Sequence, residues 1–136
     1  MNWKIIFQLS IFGLIMAIGT ISLIPEGIEP FFWLAIFLFC AYVIAKVCPG
    51  KYFLHGFMVS IINCIWITAA HIAFYSSYIA HHPSMVKMSA QHPIMPTHPR
   101  VAMLIMGPVV GIICGIILGV FAWIASMIVS KKAAAV

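Results

Sequence analysis

The sequence predicts an all-α integral membrane protein with four transmembrane helices in an up-down bundle. Two of the observations are compositional: 65% of the 136 residues are apolar and only 7% are charged, and the mean hydropathy is +1.18. A soluble domain is typically about 25% charged, so this chain has too few charges to cover a soluble globule. The third observation is a series of four long apolar runs. Together they exclude a disordered chain, a soluble enzyme and a nucleic-acid-binding module.

The first two apolar runs have the length and the flanking residues of membrane spans. The first covers residues 4–24 and carries no charge after Lys4, which is too long an apolar run for a signal peptide. The second covers residues 30–47, if Pro30 occupies the first helical position and the Lys46 side chain reaches outward to the membrane surface. A bilayer core of ~30 Å requires about 20 helical residues, so both runs predict transmembrane helices.

The other two runs are longer than a membrane span requires. Residues 52–80 and residues 101–130 each predict a helix of ~43–45 Å at a rise of ~1.5 Å per residue. Both helices should therefore extend beyond the hydrocarbon. The segment 81–100 between them is rich in His and Pro and is predicted to be a loop. The four spans form a single predicted domain, residues 1–136.

The basic residues predict the orientation of the bundle. Four spans place both termini on the same side, and the positive-inside rule assigns the more basic side to the cytoplasm. Five lysines fall on the side of the termini and two basic residues on the other: Lys4, Lys46, Lys51, Lys131 and Lys132 against Lys87 and Arg100. We therefore expect cytoplasmic N- and C-termini, an external loop 81–100, and a location in the plasma (inner) membrane.

The last span carries four glycines at intervals of four residues, which we call the glycine ribbon: Gly107, Gly111, Gly115 and Gly119. Small residues at this spacing form a smooth strip that lets another helix backbone approach closely. The alternative is that this spacing arose by chance, since glycine is common in membrane helices. The pattern predicts a helix-packing surface and leaves open whether the partner helix belongs to the same chain or to another copy.

Polar residues share one side of the third span, and Asn63, Thr68 and His71 are the most notable of them. A polar stripe on a membrane helix should face the bundle interior or a wet cavity, and an intramembrane ionisable residue indicates a functional site. The alternative is that these side chains only form hydrogen bonds between helices. The sequence therefore predicts that these residues lie in a polar interior and leaves open whether they form a functional site.

Histidines and methionines concentrate in the 81–100 loop. At helical spacing, His81, Met85, Met88 and His92 would share one face, and thioether and imidazole ligands together favour copper. Acidic oxygen ligands from the same side would also suit zinc. The candidate ligands are His81, Met85, Met88, His92 and His98, with Glu26 and Glu29. The alternative is an interfacial helix whose methionines dip into the headgroup region.

Two functions from different classes are compatible with these features. The first is an accessory or scaffold protein that forms a homo-oligomer, or a subunit of a larger membrane complex, through the glycine ribbon. The second is a protein that binds or transports a metal, copper or zinc, or another cation. An enzyme is not expected, because the predicted spans contain no Asp, Glu or Arg and no nucleophile motif is visible. The expected partners are the lipid bilayer and other membrane subunits, and no nucleic acid.

Overall fold

A computed structural model describes residues 1–91 and 98–129. Within these ranges the chain is helical with no strands, and 87% of the residues are in helices. The helices are α1 (Trp3–Ser22), α2 (Glu29–Val47), α3 (Tyr52–Ala73), α4 (Tyr75–His81), α5 (Pro83–Gln91) and α6 (Pro99–Ile128). Four of them, α1, α2, α3 and α6, are long and apolar enough to cross a membrane. The predictions of an all-α chain and of four helices long and apolar enough to span a membrane are thereby confirmed.

The third apolar run does not form the single long helix that its hydropathy predicts. The helix is interrupted at Phe74, whose φ of −106° and ψ of 34° are not helical. A second interruption at His82 (φ −127°, ψ 69°) separates α4 from α5. Pro83 begins α5, where its missing N–H costs no hydrogen bond. His81 is therefore on a different helix from Met85, and the helical face predicted for the loop is divided.

The last helix is continuous over 30 residues and passes through Pro108. At ~1.5 Å per residue it is ~45 Å long, which exceeds a ~30 Å hydrocarbon core. A proline inside a helix removes one backbone hydrogen bond. The regular helix nevertheless begins at Pro99, nine residues before Pro108, so this proline does not mark the start of the helix.

Helix α3 is the central element of the bundle, with α1 on one side and α6 on the other, and α2 packs mainly against α6. His55 fixes the start of α3 to the start of α1: its Nε2 accepts a hydrogen bond from the Asn2 backbone N–H at 2.8 Å. Its Nδ1 donates to the Lys51 carbonyl at 2.8 Å. Asn2 lies beside His55 and Thr20 lies beside His71, so α1 and α3 run in the same direction.

The hydrophobic core lies toward the end of the bundle that carries the N-terminus, which we call the terminal end. Its side chains come from all four long helices, among them Ile6, Ile44, Val59, Leu118 and Ala122, each 0% exposed. The opposite end, which we call the loop end, carries the α1–α2 connection, α4 and α5. The candidate site extends to this end.

Candidate functional site

A groove of about 710 Å³ lies between α2, α3 and α6 and extends to the loop end. Most of its wall is apolar or aromatic, and a small number of polar groups converge on it. Glu26 and Glu29 contribute carboxylates, and Tyr78 and Met85 come from α4 and α5. The polar lining residues on α3 are Ser60, Asn63, Cys64, Thr68 and His71. An apolar cleft with a few placed polar groups is typical of small-molecule sites.

Asn63 is the most unusual residue in the groove. It lies at the middle of α3 and is 3% exposed, and neither its Nδ2 nor its Oδ1 has a hydrogen-bond partner. Its side chain packs against α1 at Gly13, where a Cβ would collide with the Asn63 amide. A buried polar group without a partner costs about 1–3 kcal/mol. The groove does not supply the missing partner, because both polar atoms of the amide are closed off beside Gly13.

The other polar residues of α3 are used in packing against α6. The Ser60 hydroxyl donates to the Gly111 carbonyl at 3.3 Å, and the Cys64 thiol donates to the Gly107 carbonyl at 2.9 Å. Cys64 Sγ also lies 3.7 Å from Thr68 Oγ1. The polar stripe therefore has two parts: these residues hold α3 and α6 together, whereas the Asn63 amide lies against α1 without a hydrogen bond.

The glycine ribbon lies against α3 of the same chain. A Cβ added at Gly111 would lie 2.7 Å from Cys64 Cβ, one at Gly115 2.9 Å from Phe57, and one at Gly119 2.7 Å from Phe53. At Gly107 an added Cβ would overlap the Thr68 side chain. All four glycines thus face one internal partner. Assembly into a homo-oligomer or a larger complex stays a prediction. The glycine ribbon no longer supports it, because the ribbon packs within the chain.

Sequence analysis missed a fifth glycine in this contact. A Cβ at Gly56 on α3 would lie 2.6 Å from the Leu118 carbonyl oxygen and 2.9 Å from Gly119 Cα. The two backbones therefore touch where Gly56 and Gly119 meet. Gly56 is followed four residues later by Ser60, so the small-residue spacing on α3 was a signal that could have indicated it.

His71 lies at the loop end of α3 and contacts two other helices. Its Nε2 is 2.9 Å from the Thr20 hydroxyl on α1, and its ring stacks on Tyr78 of α4 with centroids 4.0 Å apart. Seven residues along a straight helix span ~10.5 Å, so the interruption at Phe74 is what brings these two rings together. The stack places His71 and Tyr78 side by side in the groove wall.

The stack continues to His82, which sequence analysis did not single out. The rings of Tyr78 and His82 have centroids 4.1 Å apart, and His82 Nδ1 donates to the Tyr78 carbonyl at 2.8 Å. His82 is 2% exposed, and its Nε2 lies 3.9 Å from Glu29 Oε2 without a hydrogen bond. Burial, with the Glu29 and Glu26 carboxylates, raises the pKa of Tyr78 to about 12, so its phenol stays neutral.

The predicted metal ligands are only partly described: Glu26, Glu29 and Met85 line the groove, whereas His81 and His98 do not. His81 is exposed and its Nδ1 donates to the Ser77 carbonyl at 2.8 Å; His98 precedes α6 and is also exposed. Within residues 1–91 and 98–129 no group of three or more His, Cys, Asp or Glu side chains could hold a metal ion. His92 and the side chain of Met88 lie outside what the structure describes. Copper or zinc binding stays a prediction.

Comparison of the chain with protein-family models, curated proteins and solved structures found no match. The function is therefore argued from the geometry of the groove alone.

Proposed function

We propose that the protein is a non-enzymatic, multi-pass membrane protein that binds a small amphipathic molecule in the groove. The observation that carries the proposal is the groove itself, whose apolar and aromatic wall ends at the loop end in the Glu26 and Glu29 carboxylates. The groove volume of about 710 Å³ falls within the range of about 300–1,000 Å³ found for ligand pockets. A membrane-soluble molecule with one or more polar groups matches both features.

The charge distribution supports an orientation for this site. With cytoplasmic termini, as the positive-inside rule favours, the bundle alternates in direction and the loop end faces outward. Glu26, Glu29 and Met85 would then lie on the external side of the plasma (inner) membrane. In this orientation the groove takes its ligand from the outer leaflet or from outside the cell.

An accessory role in a larger membrane complex is compatible with ligand binding, since small polytopic subunits often act within assemblies. The glycine ribbon packs internally, so such a complex would use another surface. The cation-binding alternative has a specific observation in its favour: both acidic side chains of the chain lie at the groove.

The proposal is tested with a matched pair of variants, Val110→Trp and the control Val109→Trp. Both valines are exposed on α6, but Val110 lines the groove and Val109 does not, so an indole at position 110 would fill the space of the ligand. Native mass spectrometry of the gently purified protein should detect a bound amphipathic molecule in the wild type and in Val109→Trp, and little in Val110→Trp.

The same variants separate a loss of binding from a loss of folding. Because both changes are made at exposed positions, each ligand-free variant should be about as stable as the wild type. Thermal unfolding in detergent checks this. Equal occupancy in Val110→Trp and wild type, or no bound amphiphile in any of the three proteins, would contradict the proposal.

A further inference from the structure

Sulfur-bearing side chains gather along the wall of the groove. Five of the lining residues carry sulfur: Met85, Met103, Met106, Cys64 and Cys114. The three thioethers lie toward the loop end, because Met85 belongs to α5 and the other two methionines lie in the first third of α6. A thioether is a soft, uncharged donor that favours Cu(I) over harder ions. This part of the groove therefore offers donors that a hard divalent ion would not use.

His71 and Met103 lie at the same level on facing helices. Gly107 of α6 packs against Thr68 of α3, where an added Cβ would overlap the Thr68 side chain. The two helices are antiparallel, since the contacts of the glycine ribbon recede along α3 as the ribbon advances along α6. Counted from this contact toward the loop end, Met103 is four residues along α6 and His71 three along α3, about one turn in each case. Both residues line the groove, so an imidazole and a thioether meet at one level of it.

The hydrogen bonds of His71 leave its Nδ1 able to bind a metal. The Thr20 hydroxyl donates to the Met16 carbonyl at 2.8 Å and lies 2.9 Å from His71 Nε2. With the hydroxyl proton engaged, Nε2 must carry the ring proton, and Nδ1 keeps an unshared electron pair. No hydrogen bond to Nδ1 is found within the described residues, and it is not closed off as the Asn63 amide and His82 Nε2 are. Metal-binding histidines almost always donate their other ring N–H to a fixed acceptor, which Thr20 provides.

Two features of the same region favour a monovalent ion. Within residues 1–91 and 98–129, no three His, Cys, Asp or Glu side chains are placed to hold a metal ion, which excludes the donor sets that zinc prefers. Glu26 and Glu29 are the only acidic residues of the sequence, and both line the groove at the loop end, where no described lysine or arginine lines it. The two carboxylates can therefore balance a positive charge without coordinating it.

We infer that the loop end of the groove binds one Cu(I) ion through Nδ1 of His71 and the thioether sulfurs of Met103 and Met85. Met106, the next thioether along α6, lies toward the interior of the bundle. All of these donors are uncharged, so the ion enters without displacing a proton. The site shares only Met85 with the ligands predicted for the 81–100 loop. It also goes beyond the proposed function, because the ion needs only the loop end of the groove and no amphiphile.

The site is tested by competition for Cu(I) between the full-length protein in detergent and the chelator bicinchoninate, with ascorbate present and oxygen excluded. The triple variant Met85→Leu, Met103→Leu and Met106→Leu should bind Cu(I) about a hundredfold more weakly than the wild type, because it loses the soft donors of the site. Leucine conserves the volume of methionine, so the fold should be kept. The control Met127→Leu should bind as tightly as the wild type, since Met127 lies on α6 outside the groove.

Smaller changes keep the test decisive if the triple variant does not fold. Met103→Leu alone should weaken Cu(I) binding about tenfold, and its thermal unfolding without metal should match that of the wild type. Thr20→Val should also weaken binding about tenfold, the usual effect of losing a contact that orients a histidine ligand. Thr20→Ser retains the hydroxyl and should restore the affinity of the wild type.

X-ray absorption at the copper edge identifies the ligands. The wild type should show Cu(I) bound to sulfur and to one nitrogen, and the sulfur should be missing in the triple methionine variant. The spectrum should persist when Cys64 and Cys114 are replaced by Ser, because the Cys64 thiol already donates to a backbone carbonyl of α6 at 2.9 Å. It should also persist when His81, His92 and His98 are replaced by Ala.

Two results would overturn the inference directly. One is a wild-type affinity for Cu(I) no tighter than about millimolar, and the other is wild-type affinity in the triple methionine variant. Binding that is lost in the cysteine or the loop histidine variant, and kept in the methionine variant, would also overturn it and assign the ion to those residues. None of these results bears on the proposed function, which is decided by the occupancy of Val110→Trp.

Discussion

The hydroxyl of Thr20 lies 2.9 Å from Nε2 of His71, and this contact joins α1 to α3 at the loop end. Thr20 is 1% exposed and also donates to the Met16 carbonyl of its own helix at 2.8 Å. With that donor engaged, His71 Nε2 carries the proton and donates to the Thr20 oxygen. The His71 ring is thereby fixed in the groove wall, stacked on Tyr78.

Thr20→Val should reduce the free energy of unfolding by about 1 kcal/mol, the usual value of a hydrogen bond between membrane helices. The variant keeps the shape of the side chain and removes only the hydroxyl. Unfolding by SDS in mixed micelles provides the measurement. Thr20→Ser is the control, because it retains the hydroxyl and should stay closer to wild type. His71→Phe should lower the free energy of unfolding by as much as Thr20→Val. The double variant should lower it by no more than about the larger of the two single effects, because both changes remove the same hydrogen bond.

The number of spanning helices and the polar character of α3 could be predicted because hydropathy and helical periodicity are local properties. The interruption at Phe74 could not, since neither proline nor glycine occurs at that point. It brings His71 next to Tyr78 in a ring stack that continues to His82, a contact between helices that forms only in the folded bundle.

The sequence allowed individual residues of the candidate site to be predicted, but not their arrangement. Asn63, His71, Glu26 and Glu29 were each identified from the sequence, but as members of two separate sites. That they line a single groove follows from the packing of α2 against α6, a long-range contact with no signal in the spacing of residues. His82 was overlooked because the sequence does not show that its ring is buried beside Glu29.

Gly56→Ala should destabilise the protein by about 1–3 kcal/mol, the usual cost of overpacking. The added methyl group would meet the backbone of α6 at Leu118 and Gly119, at 2.6 and 2.9 Å, and backbone atoms cannot rotate away. Gly27→Ala is the matched control: nothing lies within 4 Å of its added Cβ, and no glycine among the described residues has a positive φ. Thermal unfolding in detergent measures both variants. Equal unfolding temperatures for them would show that the α3–α6 backbones do not touch.

Metal binding by the 81–100 loop is tested by calorimetry with Cu(I), Cu(II) and Zn²⁺. If the loop is a site, bound metal should stabilise the fold, since a ligand of the native state adds RT ln(1 + [L]/Kd) to stability. Binding should weaken below about pH 6 as imidazoles become protonated. Replacing His81, His92 and His98 by Ala should abolish it, whereas Ser84→Ala should not. Affinities no tighter than about millimolar for all three ions would reduce the loop to an interfacial segment.

The orientation of the bundle is tested with single cysteines in a variant that lacks the four native ones. Cys64→Ser is the suitable background change at that position, because a hydroxyl can still donate to the Gly107 carbonyl. Ser84 is exposed on α5 and contributes only its backbone N–H to Glu26, so Ser84→Cys should leave the fold intact. On intact cells a membrane-impermeant thiol reagent should label Ser84→Cys and should not label Ser130→Cys until the membrane is permeabilised. The reverse pattern would place the groove mouth and its two carboxylates in the cytoplasm, and the ligand would then have to reach the groove from inside the cell.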